Sequence, residues 1–122
     1  MIPDIHAVLS GSGALTAIVG QKIFRTAAPE TLNSVRVEAP YVVWSIVDSF
    51  PENNLSELPE TDNSRIEIDC YSKSQAQSKA MCDAAQAAIE AVTHIIAGPL
   101  ERKEDDTKLW CMFFDASFWT DR

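Results

Sequence analysis

The sequence predicts an α+β fold: a small, mostly antiparallel sheet with one long helix and one or two short helices packed on one face. Three stretches carry that expectation. Arg65 to Tyr71 alternates, with Ile66, Ile68 and Cys70 on one side and Arg65, Glu67, Asp69 and Tyr71 on the other, the period of a half-buried strand. From Ser74 the period lengthens. Met81, Ala84, Ala85, Ala88, Val92, Ile95 and Ile96 recur at spacings of three and four, opposite Lys79, Asp83, Gln86, Glu90 and His94, which predicts an amphipathic helix. The chain then ends in an aromatic run, Leu109 to Trp119. Its even positions, Trp110, Met112, Phe114, Ala116 and Phe118, are all apolar and are expected to face that helix.

In chain order, Met1 to Val19 reads as helical with a break. Asp4 or Pro3 opens a turn carrying Ile5, Val8 and Leu9, Gly11-Ser12-Gly13 interrupts it, and Ala14 to Val19 resumes until Gly20. The Gly-Ser-Gly is a turn rather than a phosphate cradle, since it lacks the P-loop spacing and lysine and no strand precedes it. Lys22 to Arg25 is a short strand or extended edge, and Thr26 to Ala39 reads as loop. Pro40 to Val47 is β-branched and aromatic, apolar on both faces through Val43, and therefore an internal strand.

Phe50 to Ser64 is acidic, proline-bearing and without a basic residue, which predicts a long mobile loop. The long helix is expected from a capping box at Ser74 and Gln77 to a stop at Gly98-Pro99, roughly 35 Å in all. Glu101 to Lys108 is a charged segment with a turn near Asp105-Asp106. On the last strand Leu109, Cys111 and Phe113 make the odd face more apolar than water favours, so a second surface is expected to cover it.

At 122 residues, 46% hydrophobic and 23% charged, the chain is expected to form a single globular domain spanning residues 1–122. Its net charge of −8 argues against a nucleic-acid groove or an anionic membrane as partner. No basic leader or membrane-length apolar run is visible, so synthesis in the cytoplasm is expected. Three cysteines, Cys70, Cys82 and Cys111, are odd in number and lack C-x-x-C spacing, which predicts buried, reduced and metal-free thiols. Cys82 and His94, twelve residues apart on the expected helix, would lie about 18 Å apart, too far for one metal or one proton transfer. Glu104, Asp105 and Asp106 read as a solvated charge run beside Arg102, Lys103 and Lys108. The residues thus imply no catalytic, cofactor-binding or metal site, and no cofactor.

The order of these signals resembles a known family. Ala14-Leu-Thr-Ala-Ile-Val-Gly-Gln-Lys-Ile-Phe24 is followed by Ala39-Pro-Tyr-Val-Val-Trp44, then a polar loop, Arg65-Ile-Glu-Ile-Asp-Cys-Tyr-Ser-Lys-Ser74, an alanine-rich helix, and Phe113-Phe-Asp-Ala-Ser-Phe-Trp119. In that order they are similar to the tail-completion, or tail-terminator, proteins that join head to tail in long-tailed bacteriophages and prophages. The resemblance covers nearly the whole chain. It implies a structural, non-enzymatic protein at the head–tail junction of the virion, made in the bacterial host cytoplasm. It further implies a ring of copies, a hexamer, with the tail tube protein and the head–tail connector protein as partners and DNA passing without specific binding.

A bore lined or rimmed by acidic loops would repel phosphates. A ring needs a head-to-tail contact between two different patches. Leu109, Cys111 and Phe113 are the expected interface on one copy, facing the Tyr41 to Val47 strand or the acidic loop, with Glu52, Glu57 and Glu60, of the next. The competing readings are a monomeric adaptor and a small thiol-dependent enzyme.

Overall fold

In the computed structural model, which describes residues 4–32, 35–52 and 61–121, the chain opens with the two short helices expected. The Asp4 carboxylate accepts from the Ala7 N–H to cap α1 (Ile5–Ser10), and the Ser12 hydroxyl accepts from the Leu15 N–H to cap α2 (Gly13–Val19). Each cap satisfies a first-turn donor that the helix itself leaves open. β1 (Ile23–Arg25) follows. The segment expected as plain loop then holds a small antiparallel pair, β2 (Thr31–Leu32) and β3 (Val35–Arg36). The rest of the described chain is β4 (Tyr41–Glu52), β5 (Thr61–Ser72), α3 (Gln75–Glu90), β6 (His94–Lys103) and β7 (Trp110–Asp121).

The main sheet has the order β1-β4-β5-β7-β6. Every pairing is antiparallel except that of β1 with β4, so the fold is α+β with a mostly antiparallel sheet. β5 is the central strand, flanked by β4 and β7, and its Ile66, Ile68 and Cys70 are fully buried. All three helices close over that face. Ile5 and Leu9 of α1, Leu15 and Val19 of α2, and Met81, Cys82, Ala85 and Ile89 of α3 share one core with Val42, Trp44, Phe114, Ala116 and Phe118. The even positions of the last strand thus face the helices as the alternation requires, with Phe114 1% exposed. Small side chains at Ala85 and Cys82 let α3 lie close on β5 and β7.

Two further expectations are corrected. The long helix ends at Glu90, and Val92, Ile95 and Ile96 are not part of its stripe. His94, Ile95 and Ile96 begin β6 instead, which pairs with β7. Val92-Thr93-His94-Ile95-Ile96 is dominated by β-branched residues, whose side chains crowd a helix and suit a strand. Their three-and-four spacing fits the helical period only by coincidence. Gly98-Pro99 accordingly sits inside an irregularity of β6, between Ala97 and Leu100, rather than at a helix stop.

The second correction concerns the acidic loop. β4 continues through Glu52 and β5 starts at Thr61, paired as Phe50↔Asn63, Pro51↔Asp62 and Glu52↔Thr61. β7 runs alongside to Asp121. Residues 50–52 and 61–64 are therefore ladder, and residues 53–60 lie outside the described residues. Ladder bonds are made by the backbone and depend on a distant partner strand, which local composition cannot report.

Gly98 has φ +87°, and a Cβ there would stand 2.9 Å from the Phe113 carbonyl oxygen and 3.1 Å from Phe114 Cα. Both neighbours are backbone and cannot swing away. Gly98→Ala is expected to cost about 2 kcal/mol of stability, measured by urea denaturation, with secondary structure retained.

Candidate assembly interface

Strand pairing lays out the face turned away from the helices as a grid. Its first row is Tyr41–Tyr71–Cys111–Arg102, the next Val43–Asp69–Phe113–Leu100, then Ser45–Glu67–Asp115–Ala97, then Asp48–Arg65–Ser117–His94. The first two rows are knit by ring contacts. Tyr41 and Tyr71 lie 5.0 Å apart between centroids, Phe24 of β1 lies 6.4 Å from Tyr41, and the Arg102 guanidinium sits 4.6 Å from the Phe113 ring. Across the lower rows Arg65 donates to Asp115, with Nη2 2.6 Å and Nε 2.8 Å from Oδ2. Asn63 donates to the Ser117 hydroxyl at 2.8 Å.

Asp69 stands in the middle of this grid, between Val43 and Phe113, and is only 7% exposed. Its Oδ1 has no hydrogen-bond partner among the described residues. Burial, and then the neighbouring Glu67 carboxylate, push its pKa up to about 7, while the Arg102 cation opposes the shift. Asp69 thus holds a proton far into the range where an exposed aspartate is ionised.

The cysteines are buried. Cys70 lies on the helix side of β5, its thiol pushed well up by its hydrogen bond with Cys82 and by burial. Cys111 lies on the opposite face, and burial, followed by the Asp69 carboxylate, raises it to about 12. Cys82 is pushed down by its hydrogen bond with Cys70, against the opposing effect of burial, but it is sealed in the core. The two thiols that hold their protons are poor nucleophiles, so the thiol-enzyme reading gains nothing from this geometry. His94, expected on the helix, is exposed on β6.

The expected interface residues are thus separated by the fold. Leu109 (7% exposed) and Cys111 (0%) are covered within their own chain. Tyr71 and Arg102 flank Cys111 in register and approach each other to 3.5 Å. Phe113 and Tyr41 are half-buried on the open face, Glu52 is at the end of β4, and Glu57 and Glu60 lie outside the described residues. The large apolar side chains left exposed include three that the sequence did not single out as surface: Val47 (54%), Ile96 (45%) and Leu100 (59%).

The family described as Tail completion protein gp17 matches residues 3–121 of this sequence. The chain belongs to that family. Its fold is similar to that of a chain in the virion of a native gene transfer agent particle, with a TM-score of 0.72 at 14% identity, covering 97% of this chain and 92% of the other. No curated protein matches the chain in sequence. Membership makes it a structural protein of the phage tail, located in the virion. The described surface that the helices leave uncovered comprises the open sheet face, the sheet edges, and the paired ends of β4, β5 and β7.

The raised pKa of Asp69 has a thermodynamic consequence. The folded state binds the proton more tightly than the unfolded chain, so stability is greatest below about pH 4 on this account and falls as pH rises through about 7. Asp69→Asn is expected to flatten that dependence. At pH 8 it should raise stability by about 1–3 kcal/mol, and at pH 4 leave it nearly unchanged, measured by thermal melts across the pH range.

Proposed function

We propose that the chain closes the tail as a ring of six copies, seated on the tail tube and presenting its other side to the head–tail connector, with DNA passing through the bore. Family membership supports this reading, and the observation that carries it is where the charge lies. Asp48, Glu52, Glu57, Glu60 and Asp62 give the segment from 48 to 62 five negative charges and no positive one, out of a net −8 for the whole chain. The described flanks of that segment, residues 48–52 and 61–62, are strand. β4, β5 and β7 run on together past the Ser64–Phe118 row as far as Glu52, Thr61 and Asp121.

A strand-supported acidic arm repeated around a ring lines or rims the bore with negative potential. Phosphates are repelled rather than gripped, which suits a passage DNA must cross without sticking. The same charge opposes assembly, since each copy repels the next, so ring formation should strengthen as salt screens it.

Two measurements test this. Purified protein added to uncapped tail tubes should place a ring of density at one tube end in negative-stain electron microscopy. A chain that stays monomeric and leaves the tubes bare overturns the reading. Assembled wild-type rings should fail to retain duplex DNA on a filter at low salt. Glu52→Lys/Glu57→Lys/Glu60→Lys rings should retain it and release it as salt rises. Equal DNA retention by the two proteins would remove the charge argument.

A further inference from the structure

The sheet has two unequal edges, and each is open over a short window. On one side β1 covers β4 only from Val42 to Trp44, and the Thr26 N–H donates to the Trp44 carbonyl as the last bond on that side among the described residues. The β4 edge therefore opens at Ser45. On the other side β6 is the outer strand. Its second half is guarded in the way edges commonly are, by the Ala97–Leu100 irregularity, Pro99, and the charges of Glu101, Arg102 and Lys103. Its first half, His94 to Ala97, carries a bulge at Ile96 but no proline and no Lys, Arg, Asp or Glu.

These two windows stand at the same level of the sheet. Ser45 is linked through Glu67 and Asp115 to Ala97, Ile46 through Ile66 and Ala116 to Ile95, and Asp48 through Arg65 and Ser117 to His94. Each window also contains a bulge at this level, Val47 on β4 and Ile96 on β6. Both bulged residues are branched, apolar and about half exposed, at 54% and 45%. One level away the same edges carry Asp48 and His94.

We propose that copies of this chain join edge to edge, the His94–Ala97 window of one against the Ser45–Asp48 window of the next, with Ile96 and Val47 in contact at the joint. The inference rests on the ring reading and specifies its contact. Within one sheet β6 runs antiparallel to β4, so two copies in the same orientation bring these strands together antiparallel, and no copy has to invert. Two different patches meeting head to tail give a ring when the rotation closes, and an offset along the strands would give a climbing filament instead. Windows at equal level supply no such offset. β1 on Val42 to Trp44 blocks sliding the joint one way, and Pro51, which has no N–H to give a ladder, disfavours it the other way. The joint also leaves the ends of β4 and β5 free, as the acidic arm requires.

Cysteine pairing tests the joint, because the native thiols are buried. With tail tubes present and a mild oxidant added, a one-to-one mixture of Val47→Cys and Ile96→Cys proteins should give covalent dimers and nothing larger. The Val47→Cys/Ile96→Cys double variant should give a ladder of bands ending at one closed size. Val47→Asp and Ile96→Asp, both at exposed positions, should keep the wild-type far-ultraviolet dichroism and raise the concentration for half-assembly by more than about tenfold. If wild-type rings form on tubes but the mixture gives no dimer and the Asp variants still assemble, the edge joint is wrong while the ring stands. If wild-type protein never rings on tubes, the ring reading fails and the joint falls with it.

Discussion

β5 is paired along its length on both sides, and the other parts of the fold take their places from that. Its Ile66, Ile68 and Cys70 are sealed beneath the helices, where an unpaired backbone N–H or carbonyl would cost as much as a lost hydrogen bond. β4 and β7 supply those partners residue by residue from Tyr71 to Thr61. Once β5 fixes which of its residues face the helices, the period of two fixes the same for both neighbours. Trp44 and Phe114 are thereby committed to the core, and Val43, Asp69 and Phe113 to the open face.

That commitment explains why a tail protein carries a buried carboxylic acid on an uncovered sheet. Asp69 cannot turn inward without shifting Ile68 and Cys70 outward, so it stays on the open face. There Val43 and Phe113 stand beside it in register and Tyr71 lies two residues along the same strand. The aromatic side chains around it also cover Cys111. The open face is consequently drier and more finished than its apolar sequence suggests, and the unfinished surface lies at the edges, where Val47, Ile96 and Leu100 remain exposed. The broad face is thus closed within one copy, and the narrow edge windows stay open.

The charge distribution follows the same frame. The strands that pair with β5 in the core continue past it, and Asp48, Glu52 and Asp62 lie on those continuations. A charged segment of this composition would not order by itself, since it buries too little apolar surface to offset the entropy of fixing it. Its flanks order here because ladder bonds propagate from a core already formed.

What the sequence determined by itself is whatever a local period can encode. Alternation over Arg65 to Tyr71 and over Trp110 to Phe118 fixed both strands and their buried faces. Asp4 and the Ser74 cap marked where α1 and α3 begin, and Met81 with Ala85 marked how the long helix meets the sheet. Ser12, read only as part of a turn, proved to cap α2. The order of these elements was also enough to point to the family. What only the tertiary structure decided is what depends on a distant partner. Val92 to Ile96 satisfies the helical spacing, yet β7 needed a strand on its outer side and the β-branched residues took that role. Leu109 and Cys111 looked like uncovered apolar surface, because the sequence cannot show Tyr71 and Arg102 arriving beside Cys111 from two other strands. That Val47 and Ile96 stand at one level on opposite edges follows from three successive registers. Register is set by pairing between strands far apart in the chain, and no local pattern contains it.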